Sequence, residues 1–455
     1  MCGISGIIST NKNTVPLIYD SLFNLQHRGQ EASGLHICLS NSSQVFKSNL
    51  FGLIDNQLTF LDGIHGNMGI GHVRYPTSGN KTIQEIQPFS VIYPYHISLV
   101  HNGNITNQKE IFDFLKERGI CLETTSDSEL ILKLFYFFME VDFYKITNQS
   151  IFSAVNKLFD ICKGSFSVII MIKNYGMVVF RDRHGIRPLS YNMDEIFIAS
   201  SETVGLGSDS YKNVLNGEII IVNEKMELEN SLENHNSSML TPCLFEYIYI
   251  ARQESFLNDV LIYEFREKIG EEMASIISKD IIDNIDFVVP IPLTSVVSAN
   301  SLAHAIKKPI KYAVMKNRYT HRTFINSGEE IVKNIKKIKV NKKIVSGKNI
   351  LVVDDSIVRG NTSKHIVKGL HDAGADKIYF ACCSPPIRFP NIYGIAIPTT
   401  EELIAHEKSV EEVSSFLTID KLYYLPLETM CSVLKQLNPT LGDFEKSVFT
   451  GEYFN

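Results

Sequence analysis

The pattern of apolar residues changes near residue 240, and this change constrains the fold more than any other feature of the chain. Before it, short β-type segments such as Ile4–Ile8, Ile97–Val100 and Ser167–Ile172 are joined by Gly- and Asn-rich turns. A helical pattern over Ser128–Val141 interrupts them. Because strands outnumber helices and do not alternate strictly with them, we expect antiparallel sheets with helices packed on their faces.

After the change, apolar strands and amphipathic helices alternate. The predicted strands are Phe287–Ile291, Ile310–Met315, Ile350–Val353 and Lys377–Cys382, and the predicted helices include Ser298–Lys307 and Thr362–Ala373. This order is typical of βαβ units and a mostly parallel sheet. The polar stretch Asn223–Ser238 before it has the composition of a linker or surface excursion. We therefore expect two domains of different class, α+β followed by α/β.

Composition excludes several kinds of partner and site. A net charge of -6 argues against a general nucleic-acid binder, because neutralising phosphates needs a surplus of Lys and Arg. The longest apolar runs, such as Phe166–Ile172, are too short to span a bilayer, and no signal peptide is visible. Eight scattered cysteines without a C-x-x-C pair favour a reducing compartment. We expect a cytoplasmic protein with no nucleic-acid or membrane partner.

Cys2 is followed by glycine, and removal of Met1 would make it the N-terminal residue. A free α-amine has a pKa of about 7.7–8.0, so part of it is unprotonated at neutral pH and can take the thiol proton. Such a residue supplies both nucleophile and base. Cys2 is therefore a candidate catalytic residue.

Five motifs place this nucleophile in a family. In chain order they are Met1-Cys2-Gly3-Ile4, Gln26-His27-Arg28-Gly29-Gln30, Gly71-His72-Val73-Arg74-Tyr75-Pro76-Thr77, His101-Asn102-Gly103-Asn104 and Ser126-Asp127-Ser128-Glu129. The first half thus resembles the N-terminal-nucleophile (class II) glutamine amidotransferases. The resemblance implies a four-layer αββα sandwich.

The same resemblance implies roles for single residues. Asn102 and the Gly103 N–H form the oxyanion hole beside Cys2, Arg74 holds the carboxylate of glutamine, and Asp127 pairs with its ammonium group. His72 and His101 are interpreted as structural residues that satisfy backbone groups, without a catalytic role.

The second half contains one long chemical motif, residues 350–363. A buried apolar strand delivers Asp354 and Asp355 to its carboxyl end, where ligands bind in open α/β sheets. A loop then leads into a helix that begins near Thr362, and the loop amides with the Thr362 and Ser363 hydroxyls make an anion site. Carboxylates beside such a site suit a ribose phosphate, whose hydroxyls face the acids, with Mg²⁺ nearby.

This motif resembles the binding signature of the type I phosphoribosyltransferases. The resemblance implies that phosphoribosyl pyrophosphate is bound by Asp354, Asp355, Ser356, Gly360, Thr362, Ser363, Lys316 and Arg318. It also implies one Mg²⁺ per subunit near Thr294, Asp354 and Asp355. Between Lys316 and Lys343 there are nine Lys or Arg against two Glu, and we interpret this basic stretch as a mobile lid over pyrophosphate.

The two halves together resemble enzymes of purine synthesis that transfer ammonia from glutamine to phosphoribosyl pyrophosphate. The resemblance implies 5-phosphoribosylamine as product, enclosed passage of ammonia, feedback inhibition by purine nucleotides, and a homotetramer. Some members carry an iron–sulfur cluster on four cysteines. Here Cys243 matches one of them while Asn391, Glu445 and Val448 occupy the others, so we expect no cluster. The expected boundaries are 2–240 for the amidotransferase domain, 255–425 for the phosphoribosyltransferase domain and 426–455 for a C-terminal helical extension.

Two alternatives remain open at this point. One is a different amidotransferase with the same glutaminase half, such as glucosamine-phosphate synthase or asparagine synthetase, although the Asp354–Ser363 signature argues against it. The other is a non-catalytic nucleotide sensor on a phosphoribosyltransferase scaffold. Its support is Leu293, which replaces an acidic residue usual in the pyrophosphate loop, and the intact Cys2 site argues against it.

Overall fold

A computed structural model describes residues 2–40, 44–75, 82–139, 146–234, 238–316, 338–397 and 399–454. Thirteen of its strands belong to two antiparallel sheets in the first half: β1 Gly3–Ile8, β2 Ala32–Leu39, β3 Val45–Phe51, β4 Gly66–Arg74, β5 Phe89–Val91, β6 Ile97–Ile105, β7 Gly164–Ile172, β8 Gly176–Arg181, β9 Ser190–Met193, β10 Phe197–Ser200, β11 Lys212–Asn213, β12 Ile219–Asn223 and β13 Leu228–Ser231. The helices of this half are α1 Thr14–Asn24, α2 Leu58–Leu61, α3 Gln108–Lys116, α4 Asp127–Phe138 and α5 Asn148–Ile161.

The strands form a seven-stranded sheet in the order β11-β9-β10-β1-β4-β2-β3 and a six-stranded sheet in the order β13-β12-β8-β7-β6-β5. Apolar side chains on alternate positions fill the space between the sheets, for example Ile4 and Ile70 against Val100 and Ile169. The outer face of the first sheet is covered by α1, and that of the second by α4 and α5. The predicted αββα sandwich is confirmed.

The second half is built on a four-stranded parallel sheet in the order β16-β19-β20-β21. Its strands and the flanking short strands are β14 Phe256–Leu257, β15 Val260–Leu261, β16 Phe287–Pro290, β17 Val314–Lys316, β18 Ile338–Val340, β19 Asn349–Asp354, β20 Lys377–Cys382 and β21 Lys421–Tyr424. Its helices are α6 Ile262–Ile276, α7 Lys279–Asn284, α8 Val296–Ala305, α9 Lys342–Val345, α10 Asn361–Asp372, α11 Val410–Leu417, α12 Leu427–Leu437 and α13 Ser447–Thr450.

Both faces of this sheet are buried, which explains why β19 is apolar at successive positions. Ile350 and Val352 pack into one core, and Leu351 and Val353 into the other. The predicted parallel sheet is therefore confirmed. No helix in the described part of the chain is long and apolar enough to cross a membrane.

Two predicted elements differ in the structure. The stretch Asn223–Ser238, expected to be a linker or surface excursion, contains the edge strand β13, Leu228–Ser231, which pairs with β12. Its side chains are mostly exposed, so it lacks the apolar alternation by which a strand is recognised. The predicted strand Ile310–Met315 is also interrupted: Ile310 makes a single bridge to Val288, and a strand begins only at Val314. That strand pairs with β18 in a separate hairpin.

Candidate active sites

Cys2 lies immediately before β1, which is a central strand of the first sheet. Its backbone nitrogen donates to Asn102 Oδ1 at 3.3 Å, and its Sγ lies 3.6 Å from the carbonyl oxygen of Tyr75. Asn102 lies on β6 of the second sheet. Packing of the two sheets therefore brings Cys2 and Asn102 together, although they are one hundred positions apart in the chain. Among the described residues, the buried Asn102 Nδ2 has no hydrogen-bond partner. A buried donor without a partner beside a nucleophile fits an oxyanion hole.

Gly103 follows Asn102 and must be glycine for a steric reason. A Cβ at this position would lie 2.0 Å from the carbonyl oxygen of Ser165 on the neighbouring strand β7. The tight contact leaves no room for a side chain. It fixes the backbone of Gly103 at the edge of the pocket that contains Cys2.

A small pocket brings the predicted glutamine-binding residues together with the nucleophile. Its lining includes Cys2, Arg74, Gly103 and Asp127. Arg74 ends β4, is buried, and has its Nε 3.7 Å from Glu31 Oε2. Asp127 begins α4, directly after the Ser126 N-cap, and its Oδ2 accepts a hydrogen bond from Ile105 N at 3.1 Å. A cation and an anion therefore face the pocket as recognition of an α-amino acid requires.

The two histidines of the motifs also line this pocket, and their environments differ. His101 Nδ1 lies 3.1 Å from Ser128 Oγ and His101 Nε2 lies 3.4 Å from Ser165 O. Neither nitrogen of His72 has a partner within the described ranges, so the expectation that this ring satisfies backbone groups is wrong there. Burial lowers the pKa of both rings, that of His72 well below its usual value. Both histidines are therefore neutral at pH 7.

Sequence reasoning missed a buried charge network behind Cys2. Arg28 is fully buried, and its Nε donates to the carbonyl oxygen of Cys2 at 2.9 Å. Its other nitrogens donate to Glu246, at 2.8 and 3.1 Å, and to Glu202. Burial alone would lower the pKa of Arg28, but the two carboxylates raise it above its usual value. Both carboxylates are distant from Arg28 in the chain, and of the three residues only Glu246 stands out in the sequence, as a charge within an apolar segment.

Glu246 lies in a π-helical turn, Glu246–Ile250, whose apolar residues belong to the core of the second half. Arg187 Nη1 also approaches Glu246 Oε1, at 3.4 Å. The network thus joins the backbone of the nucleophile to the domain that follows.

The second site lies at the carboxyl end of the parallel sheet. Asp354 ends β19, and Asp355 N donates to Asp354 Oδ1 at 2.9 Å. Thr294, in the loop after the adjacent strand β16, donates to Asp355 Oδ2. Burial and the neighbouring charge of Asp355 raise the pKa of Asp354 well above its usual value. The structure therefore brings the predicted metal residues together at this end of the sheet.

The predicted phosphate loop runs from Asp355 to the start of α10. Gly360 adopts a left-handed conformation with φ of +74°, and a Cβ there would lie 2.6 Å from Ile404 Cδ1. This turn places Thr362 and Ser363 in the first helical turn. Free N–H groups at the start of a helix, together with two hydroxyls, are the groups that an anion site requires, and binding of phosphate here stays a prediction.

Two predicted residues are not placed by the structure. Lys316 ends β17, and its side chain is not among those described. Arg318 and most of the basic stretch interpreted as a lid lie outside the described residues. Their roles stay predictions.

The fold and the two sites define a class of protein: an N-terminal-nucleophile amidotransferase joined to a phosphoribosyltransferase. Family models agree, because a glutamine amidotransferase domain matches residues 74–208 and a phosphoribosyl transferase domain matches residues 260–385. The predicted domain boundaries are finer than these matches and stay predictions.

Similar proteins narrow the class to one family. The amidophosphoribosyltransferase of Pasteurella multocida is 40% identical over 471 aligned positions, which cover 100% of this chain and 92% of that protein. The Saccharomyces cerevisiae amidophosphoribosyltransferase is 36% identical, with 100% and 92% covered. A structure of the glutamine phosphoribosylpyrophosphate amidotransferase of Bacillus subtilis, complexed with ADP and GMP, superposes with a TM-score of 0.85 at 29% identity and covers 99% of this chain and 97% of that one.

The chain belongs to the amidophosphoribosyltransferase family. It catalyses the glutamine-dependent amination of phosphoribosyl pyrophosphate in purine biosynthesis, as the paired motifs predicted. The full-length matches favour neither the other amidotransferases nor the nucleotide sensor.

Proposed function

We propose that Cys2, exposed by removal of Met1, attacks the carboxamide carbon of glutamine while its α-amine accepts the thiol proton. The negative charge that forms on the carbonyl oxygen is stabilised by Asn102 Nδ2 and the Gly103 N–H. When the intermediate collapses, the amide nitrogen leaves as ammonia with that proton, and a thioester remains on Cys2. Water then hydrolyses the thioester to glutamate.

The position of Asn102 beside Cys2 is the main support for this proposal. Its Oδ1 accepts from the Cys2 nitrogen at 3.3 Å, which directs its amide nitrogen away from that contact and leaves a buried donor without a described partner. Arg74 binds the α-carboxylate of glutamine and Asp127 its α-ammonium group, and the carboxamide at the other end of the molecule then lies against Cys2, which lines the same pocket. Neutral His72 and His101 add no charge to compete with them.

Asn102→Ala is expected to lower kcat for glutamine hydrolysis by about 100- to 1,000-fold, because one oxyanion donor is lost. The KM for glutamine should change little, since Arg74 and Asp127 remain. Asn102→Asp replaces the donor by a carboxylate of similar shape and should lower kcat for glutamine hydrolysis even further. Glutamate release measured by coupled assay checks both. Wild-type kcat in Asn102→Ala would contradict the assignment.

In the second half, we propose that ammonia reaches C1 of phosphoribosyl pyrophosphate through an enclosed path and displaces pyrophosphate. Ser356 and Gly360 in the loop before α10, with Thr362 and Ser363 in its first turn, hold the 5-phosphate. Asp354 and Asp355 accept hydrogen bonds from the ribose hydroxyls. Enclosure matters because ammonia is mostly protonated in water and then is not a nucleophile.

One Mg²⁺ fits this site. Asp354 and Asp355 are adjacent and both buried, and burial together with the charge of Asp355 raises the pKa of Asp354, which supports a cation between them. The described residues include no group of three or more His, Cys, Asp or Glu that could hold a metal, and Mg²⁺ commonly takes one or two carboxylates and completes its shell with water and substrate phosphate. Thr294 and the two aspartates are the proposed protein groups. When bound, Mg²⁺ supplies charge that stabilises the leaving pyrophosphate.

Asp355→Asn should weaken binding of phosphoribosyl pyrophosphate with Mg²⁺ by about 30-fold or more, because losing one charged partner at a buried site costs about 2 kcal/mol or more. Isothermal titration of the intact chain measures it. Asp376→Asn, at the opposite end of the sheet before β20, is the matched control and should bind normally. If Asp355→Asn binds the ligand as tightly as Asp376→Asn does, Asp355 is not part of the binding site.

We further propose that the chain contains no iron–sulfur cluster. Asn391 and Glu445 lie around Cys243, with Asn391 Nδ2 3.5 Å from Glu445 Oε2 and a backbone bridge between Cys243 and Glu445. Burial raises the pKa of the Cys243 thiol well above its usual value, with the Glu445 charge adding to the effect. One protonated thiol beside a carboxylate is not a cluster site.

Regulation, assembly and compartment are proposed on family grounds. The Bacillus subtilis structure contains ADP and GMP, and we propose that purine nucleotides inhibit this chain by feedback. A homotetramer in the cytoplasm is the proposed form. Sedimentation with and without GMP tests the assembly, and pyrophosphate release at increasing GMP tests the inhibition.

A further inference from the structure

A short segment of the second half, Asn391–Ile395, lies directly against the strand that carries Asn102 and Gly103. We refer to it as the strap. Asn104 Nδ2 donates to the carbonyl oxygen of Ile392 at 2.8 Å. The carbonyl oxygen of Tyr393 accepts from Ser165 Oγ at 2.7 Å and from Arg187 Nε at 2.8 Å. Three polar side chains of the amidotransferase half therefore hold the backbone of the strap.

The closest approach is between two glycines. Gly394 has φ of +98°, and a Cβ built on it would lie 2.6 Å from the carbonyl oxygen of Gly103 and 2.8 Å from its carbonyl carbon. These are backbone atoms, which cannot move aside as the end of a flexible side chain can. Only glycine allows the strap to pack this closely.

Gly103 is confined on its other side as well. A Cβ on Gly103 would lie 2.0 Å from the carbonyl oxygen of Ser165. The next amide, Asn104 N, donates to Ser165 Oγ at 3.3 Å, and that hydroxyl donates in turn to Tyr393. The backbone at Gly103 is therefore held between Ser165 and the strap, so a displacement of the strap is expected to shift Gly103.

We propose that the strap is a positioning element for the oxyanion hole, in which Gly394 sets the place of the Gly103 N–H relative to Cys2. The inference rests on the proposed role of Gly103. The shape of the strap is fixed within the second half: Asn391 Oδ1 accepts from Tyr393 N at 2.9 Å and from Ile395 N at 3.0 Å. Tyr393 OH donates to the carbonyl oxygen of Phe454 at 2.8 Å. The glutaminase half thus obtains part of its geometry from the transferase half.

Gly394→Ala tests the proposal through a difference between two reactions of Cys2. Glutamine hydrolysis develops an oxyanion, and a misplacement of about 1 Å costs about 100-fold, so kcat should fall by about 10- to 100-fold. Alkylation of Cys2 by iodoacetamide displaces iodide from a tetrahedral carbon and forms no oxyanion. The rate of this alkylation, followed by mass spectrometry of the Cys2 peptide, should stay within about twofold of the wild-type rate. The KM for glutamine and the rate of ammonium-dependent pyrophosphate release should also stay within about twofold of the wild-type values.

Gly374→Ala is the matched control. Gly374 has φ of +86° and lies just beyond the end of α10, where a Cβ would meet Ser346 Oγ at 3.2 Å. The Gly374→Ala substitution introduces similar backbone strain away from Cys2, so the kcat of this variant for glutamine hydrolysis should match that of the wild type. If Gly394→Ala does not fold, Asn391→Ala loosens the strap without adding bulk. It should lower kcat by about fivefold with the same unchanged alkylation, as expected for an oriented group held less firmly.

Unchanged hydrolysis in Gly394→Ala, or equal losses of hydrolysis, alkylation and ammonium-dependent activity, would overturn the proposal. Asn102→Ala measured in parallel separates this failure from that of the proposed function. Normal hydrolysis in Asn102→Ala means that the oxyanion hole itself is misassigned. Slow hydrolysis in Asn102→Ala with normal hydrolysis in Gly394→Ala means that only the role of the strap is wrong.

Discussion

Cys2→Ala is expected to lower glutamine-dependent pyrophosphate release by at least about 10,000-fold and to leave ammonium-dependent release within about twofold of the wild type. The variant has no nucleophile for the carboxamide, and nucleophile removal has effects of this size in other enzymes with covalent intermediates. The proposed phosphoribosyl site lies at the carboxyl end of another sheet, so ammonia supplied from solution should still reach it. Pyrophosphate release with each donor, at alkaline pH for ammonium chloride, measures the two rates.

Cys121→Ala is the control for this prediction. Cys121 is an exposed free cysteine in the loop before α4, and its loss should change neither rate. Equal loss of both rates in Cys2→Ala would mean that Cys2 stabilises the fold of the whole chain. Retention of the glutamine rate would place the nucleophile elsewhere.

Arg28→Met is expected to lower the free energy of unfolding by about 3–5 kcal/mol, the usual cost of removing one partner from a buried ion pair. Arg28 is fully buried between Glu202 and Glu246, and methionine would leave two carboxylates without their main cation. Contacts with His27 and Arg28 outweigh burial and hold the pKa of Glu202 below its usual value. The contribution of ionised Glu202 to the free energy of unfolding is therefore fully present above the pKa of Glu in the unfolded chain. It is lost as the pH falls through the pKa of Glu202 in the folded protein.

Urea unfolding at pH 7, followed by intrinsic tyrosine fluorescence, measures the effect. Arg118→Met removes an exposed arginine just after α3 and should change the free energy of unfolding by no more than about 0.5 kcal/mol. The double variant Arg28→Met with Glu246→Gln should recover part of the loss, because one unpaired carboxylate is removed. An Arg28→Met variant as stable as the wild type would show that the network is not needed for folding. Glutaminase activity should fall with stability, since Arg28 Nε also holds the Cys2 carbonyl.

Features that depend on local pattern could be predicted from the sequence. The strand Lys377–Cys382 has the predicted bounds, and the helix after the phosphate loop begins at Asn361, one residue before the expected start. Asp354 and Asp355 could be placed because an apolar strand leads directly into them. Cys2, Asn102 and Asp127 are distant from one another in the chain, and their common pocket could be anticipated only through the resemblance to a family.

Features that depend on packing between distant segments could not be predicted. No local pattern pairs Arg28 with Glu246 or sets Gly394 against Gly103, because each contact is decided by how the two halves meet. The edge strand Leu228–Ser231 is exposed and has no apolar face, so the stretch that contains it has the composition of a linker or surface excursion. The sequence predicts that His72 satisfies backbone groups, but its ring nitrogens have no partner in the part of the chain that the structure describes.

The central claim is that one chain joins glutamine hydrolysis to amination of phosphoribosyl pyrophosphate. Its most direct test is to count glutamate and pyrophosphate in the same reaction, with purified wild-type protein, glutamine, phosphoribosyl pyrophosphate and Mg²⁺. We predict one glutamate for each pyrophosphate, and little pyrophosphate when glutamine is omitted. Binding of phosphoribosyl pyrophosphate without pyrophosphate release, with glutamine and with ammonium chloride alike, would contradict the account and return the nucleotide-sensor hypothesis.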